Sequence, residues 1–152
     1  MIGTVQIAPV RKSIVVKAPP EHAFEIFTAG MVRWWNKEYS INKSPIRDIV
    51  IEPRVNGRWF ERGADGSECQ WGRVLAWEPP SRILLAWRIT PTFSYDPNLM
   101  TELEVRFIPE GNATRVELEH RLEGYGAAAE EMFKVFDAGW QGLMEGFAKE
   151  AA

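Results

Sequence analysis

Between Ile46 and Glu123, clusters of Gly, Pro, Asn and Asp cut the chain into short β-prone runs. This rhythm restricts the fold more than any other feature. The runs are IRDIVIEP (46–53), GRWFER (57–62), ECQWGRVLAW (68–77), SRILLAWRI (81–89), MTELEVRFI (100–108) and TRVELEHRL (114–122). RVNG, GADGS, EPPS, TPTFSYDPN and PEGN separate them, which is the punctuation of an antiparallel meander. GADGS lies between two strands, so its glycines read as hairpin-turn residues rather than a phosphate loop. Two runs alternate cleanly. Thr101, Leu103, Val105 and Phe107 share one face, with Glu102, Glu104 and Arg106 opposite. Thr114, Val116, Leu118 and His120 likewise oppose Arg115, Glu117, Glu119 and Arg121. One wet face and one covered face mark an antiparallel sheet packed on one side.

The cover is residues 126–150. Met132, Phe136, Leu143 and Phe147 recur at about 100° per residue, with Phe133, Trp140 and Met144 widening the stripe. Ahead of the meander, RKSIVVKA (11–18) reads as a first strand. PPEHAFEIFTAG follows with helix-start prolines, an early Glu21 and a Gly30 stop, and MVRWWNKE reads as a second short helix. The expected fold is α+β: a seven-stranded curved antiparallel sheet around a long C-terminal helix, with two short helices after the first strand. The expected organisation is a single domain over 11–152, preceded by an N-terminal extension at 1–10.

Three glycines, Gly139, Gly142 and Gly146, interrupt the long helix. Each costs roughly 0.5–1 kcal/mol relative to Ala. They fall within one narrow arc beside the apolar face, so the expectation is close approach of the backbone to a neighbouring element. A helix edge that admits a ligand and a glycine-lined dimer contact are the alternatives.

Composition narrows the function. Net charge is −3 with both signs interspersed, which argues against a nucleic-acid surface. A single Cys69 and two separated histidines offer neither a disulfide nor a zinc-like ligand pair, and no metal or cofactor is expected. No P-loop, dinucleotide fingerprint or nucleophile elbow is present. No signal-peptide pattern and no membrane-length apolar run occurs, so a cytoplasmic protein is the expectation. Seven tryptophans stand out and point to a heavy aromatic core or an aromatic-lined cavity.

The motifs VVKAPPEHAFEIFT, RWW, GRWFE with DG after it, GRVLAWEPPSRILLAW, GNATRVELEH and AGWQGLMEGF occur in this order. Together they resemble the family of the activator of the heat-shock-protein-90 ATPase (homologue-1-like), within the START/polyketide-cyclase/birch-allergen (SRPBCC) superfamily. The likeness covers roughly residues 11–150. It implies a helix-grip fold with a cavity between sheet and helix.

Inward residues are then the site candidates. Alternation pairs Trp59 with Glu61, and it groups Ile83, Leu85 and Trp87. In 68–77 the parity is open, with Gln70, Gly72 and Val74 inward as the preferred choice because Arg73 then meets solvent. The ligand-lining candidates are Trp35, Trp59, Glu61, Trp87, Leu103, His120, Phe136 and Trp140. The aromatic 90–100 loop, with Phe93 and Tyr95, is a candidate gate or cap. The leading expectation is binding of a small apolar or amphipathic molecule, without established catalysis. The alternatives are a cyclase or hydratase using Glu61 and His120 for acid–base work, and, as the family name implies, a chaperone-interacting module. A homodimer is possible.

Overall fold

The structure is a computed structural model that describes residues 7–152. The expected extension at 1–10 therefore lies largely outside the described residues. Strand β1 (Val10–Val16) leads into α1 (Pro20–Thr28) and the single turn α2 (Met31–Trp34). The meander follows as β2 (Ile46–Ile51), β3 (Arg58–Gly63), β4 (Glu68–Glu78), β5 (Arg82–Trp87), β6 (Thr101–Glu110) and β7 (Ala113–Arg121). A 3-10 helix (Glu123–Ala128) then leads into α3 (Ala129–Ala151). The strands form one antiparallel sheet in the order β1-β7-β6-β5-β4-β3-β2. The seven strands, the covering helix and the two short helices all stand as the sequence predicts.

Local chemistry explains the boundaries. Pro19 holds the extended N-cap of α1, Pro20 occupies its first position, and Thr28 closes it by donating its hydroxyl to Phe24 O at 2.7 Å. Glu130 and Glu131 sit in the first turn of α3 and Lys149 in its last, complementing the helix dipole. On the inner face of α3, Met132, Phe136, Trp140, Leu143, Met144 and Phe147 are buried against β1, α1, α2 and the sheet interior. The GADGS segment is the β3–β4 hairpin turn, with Gly66 at φ +87°.

The outer sheet face is a charged lattice. Glu104 accepts hydrogen bonds from Arg82, Arg106 and Arg121. Phe60 is buried there beneath the guanidinium groups of Arg58 and Arg62, which lie 4.3 and 5.5 Å from its ring centre.

Strand β4 departs from simple alternation. Trp59 pairs with Gly72 and Phe60 with Gln70, so Trp71 is the extra residue of a β-bulge. Gly72 and Val74 face inward as expected, because their partners Trp87 and Leu85 do. Trp71 also turns inward and is 1% exposed, whereas Gln70 pairs with outward Phe60 and is half-buried. The preferred parity is thus corrected at Gln70 and Trp71. The bulge places two consecutive residues on the concave side.

The glycine expectation is corrected as well. A Cβ at Gly139 or Gly142 would meet no atom within 4 Å, and only Gly146 faces a close neighbour, Trp34 O at 3.3 Å. Close packing accounts for one glycine of the three.

Candidate functional site

Five indoles close a ring on the concave side. Ring centres are 4.9 Å apart for Trp35–Trp71, 5.4 Å for Trp71–Trp59 and 5.5 Å for Trp59–Trp87. Trp87–Trp140 at 6.0 Å and Trp140–Trp35 at 5.8 Å complete it. The contributors come from four places: the end of α2, the β3–β4 hairpin, β5 and α3. The sheet curl brings them together, since Trp59, Gly72, Trp87 and Thr101 lie in one cross-strand row. Gly72 lets the β5 backbone come close in that row, since a Cβ there would stand 1.7 Å from Ala86 O.

A cavity of about 270 Å³ opens beside this ring. Trp35, Trp71, Trp87, Phe136 and Trp140 form its aromatic wall. The loop after α2 supplies Tyr39, Ser40 and Ile41, and Gly139 forms part of the α3 edge. Tyr39, Phe93 and Val135 border it and are roughly half exposed, giving the mouth an apolar rim. Phe93 takes φ 60°, a left-handed conformation uncommon for a bulky residue, within the 90–100 loop expected to gate or cap the cavity.

Of the eight predicted residues, Trp35, Trp87, Phe136 and Trp140 border the cavity. Trp59, Glu61, Leu103 and His120 are all fully buried, in the layer behind it. Reading the sequence missed Ser40, Ile41, Trp71 and Gly139 as wall residues. Gly139 carried a signal as a side-chain gap at the edge of the apolar stripe, and Trp71 did as the less favoured inward parity of 68–77.

The two buried polar groups are held separately. Glu61 accepts from Ser40 Oγ at 2.5 Å, from Ile41 N–H at 2.7 Å and from Trp71 Nε1 at 3.1 Å. Hydrogen bonds to a charged group are worth about 1.5–3 kcal/mol each. Glu61 thereby clamps the Tyr39–Ile41 loop onto the sheet.

His120 sits in a different chain of bonds. Trp140 Nε1 donates to His120 Nδ1 at 3.3 Å, so the imidazole proton lies on Nε2 and goes to Thr101 Oγ1 at 2.9 Å. Thr101 in turn donates to Trp87 O at 3.1 Å. Glu61 and His120 share no partner, and β4, β5 and β6 separate their strands. That is roughly 19 Å along the sheet at the usual strand spacing. They are not hydrogen-bonded to each other.

Two of the remaining indole donors are spent within the protein and two are not. Trp34 donates to Ile26 O at 2.8 Å and Trp35 to Tyr39 O at 3.0 Å. Trp59 Nε1 and Trp87 Nε1 find no acceptor among the described residues. Trp87 Nε1 faces the Tyr125 hydroxyl, whose own proton is committed to Ile89 O at 2.6 Å.

Burial, reinforced by the charge of Arg121, pulls the His120 pKa down to about 3. The folded value lies below the unfolded one, so the stability it contributes is complete above about pH 6.5 and is lost as pH falls toward 3. Glu104 acts in the same direction at lower pH. Burial alone would raise its pKa, but the hydrogen bonds from Arg82 and Arg121 prevail and hold it at about 2. Urea unfolding is therefore expected to give constant stability above about pH 7. Between about pH 6 and 5 it is expected to fall by about 1.4 kcal/mol per pH unit, one proton's worth. His120→Gln flattens this upper limb and leaves the lower one; an unaltered upper limb would place the titration elsewhere.

A curled antiparallel sheet gripping one long helix around an aromatic cavity defines a helix-grip domain of the SRPBCC class. The chain belongs to the activator of Hsp90 ATPase homolog 1-like protein family, whose model matches residues 17–152. Among solved structures it is similar to the anthrahydroquino-γ-pyrone synthase Txn09, at 39% identity and TM-score 0.67, covering 95% of this chain and 97% of that one. It is also similar to CalC, a self-sacrificing resistance protein from Micromonospora echinospora, at 27% identity and TM-score 0.73, covering 95% and 94%. An HSP90 activator from Plasmodium falciparum shares 19% identity with TM-score 0.52, covering 76% and 73%, a likeness of fold alone. No curated protein matches the sequence. Among the described residues no helix is long and apolar enough to cross a membrane.

Proposed function

We propose that the protein binds a small, flat, largely apolar molecule of fused-ring aromatic type in the cavity between sheet and α3. The observation that carries this reading is the wall itself. Aromatic faces surround about 270 Å³ of space beneath an exposed apolar rim, the usual composition of a site for an apolar ligand. The indole donors of Trp35, Trp71 and Trp140 are engaged within the protein. The wall therefore offers stacking and apolar contact rather than many hydrogen bonds. The similarity to Txn09, a synthase of a fused aromatic product by its name, supports the same ligand class. It also favours a second reading, in which binding serves ring closure of such a molecule.

A thermal-shift and calorimetric series with anthraquinone, flavone and palmitate tests the proposal. Ligand present at about 100 times its Kd adds about 2.7 kcal/mol to stability, which raises the Tm of a domain this size by several degrees. The ring compounds are expected to give that shift and palmitate is not. Absence of a shift and of measurable heat with both ring compounds would remove the reading. Turnover of a polyketide-type precursor to a cyclised product separates the second reading from simple binding.

A further inference from the structure

Resting on that binding site, we infer that Ser40, backed by Glu61, is an acceptor that selects ligands carrying a phenol-type hydroxyl. Ser40 borders the cavity, while Glu61 lies fully buried behind it. A serine hydroxyl has one proton and two lone pairs. Here the proton goes to Glu61 at 2.5 Å, within the range of a charge-assisted O–H···O⁻ bond. Asn42 N–H donates to one lone pair at 3.1 Å. The weaker alternative for the proton, Asn42 O, is 3.4 Å away. What remains for the cavity is a lone pair on an oxygen polarised by a carboxylate. Such an oxygen receives a hydrogen bond and has none to give.

Glu61 fixes this polarity rather than touching ligand. Its other two donors, Ile41 N–H and Trp71 Nε1, hold the carboxylate in place from the loop and from the bulged strand. The acceptor end of the cavity is thus part of the same device that seats the loop. The competing acceptors are Glu38 and the Tyr39 hydroxyl, whose residues also border the cavity but are exposed.

The probes are 2-hydroxyanthraquinone and 2-methylanthraquinone, which match in size and differ in the donor. Wild-type protein is expected to bind the hydroxyl compound about tenfold or more tightly, the worth of one hydrogen bond to a charged acceptor system. In Ser40→Ala the ratio of the two affinities is expected to fall to one or below. Ser40→Thr retains the hydroxyl and restores the preference, which separates acceptor chemistry from loop packing. Glu61→Gln is expected to lower the ratio, because the amide can donate into the serine lone pair. Equal binding of both probes by wild type would overturn the inference and leave the binding site standing. A ratio that persists in Ser40→Ala would move recognition to Glu38 or Tyr39 and likewise overturn it. Failure of wild type to bind either probe would sink both the inference and the site.

Discussion

Gly72→Ala is expected to cost the fold about 3 kcal/mol or more and to lower the urea midpoint accordingly. A Cβ at this position would stand 1.7 Å from Ala86 O and 3.6 Å from the Trp59 ring. The first of these is backbone of the paired strand, so no side-chain rotation relieves it. Adding a methyl group to a packed core usually costs about 1–3 kcal/mol through small shifts. Here the overlap requires β4 to separate from β5 or the bulge at Trp71 to be remade. Either change also moves Trp71 away from Glu61. The loss of stability is therefore expected to be accompanied by release of the Tyr39–Ile41 loop, visible as faster amide exchange at Ile41. An unchanged midpoint would mean that the bulge is not built as described.

Gly139→Phe is expected to do the opposite: leave stability nearly unchanged and reduce ligand affinity by about 100-fold or more. Nothing stands within 4 Å of a Cβ at Gly139, and the residue borders the cavity. The benzyl group would occupy space that the ligand needs. Replacing a helix-interior glycine recovers part of the roughly 1 kcal/mol that glycine costs. Gly142→Phe is the matched control, because Gly142 lies on the same helix with equally open surroundings and is exposed. That variant is expected to bind as wild type does. Calorimetry with anthraquinone on both proteins decides the matter, and equal affinity in the two would place the ligand elsewhere.

The sequence carried the architecture because the architecture depends on period. Leu103, Val105 and Phe107, or Val116, Leu118 and His120, alternate without interruption, and all are buried on one face. The same logic turned Trp59 and Glu61 inward together. It could not assign Trp71, because a bulge adds a residue to one strand only and period-two reasoning has no place for it. It also missed the partners of the buried polar groups. Ser40 belongs to an irregular loop, and its meeting with Glu61, 21 residues away, depends on how that loop closes. His120 was correctly placed indoors, but its companions are Thr101 and Trp140, brought to it by strand register and helix position. The helix glycines show the same limit from the other side. A missing side chain is legible in the sequence, but what faces the gap is not.

The closed ring of Trp35, Trp71, Trp59, Trp87 and Trp140, with neighbouring centres no more than 6.0 Å apart, also makes these residues one optical unit. At such separations, excitation absorbed by one member is expected to pass to the others before it is emitted. A bound chromophore stacked on one indole will therefore dim the whole set. Emission from the ring is therefore expected to count how many cavities are filled, over a background from Trp34 and Trp77, and to be blind to which wall the ligand touches.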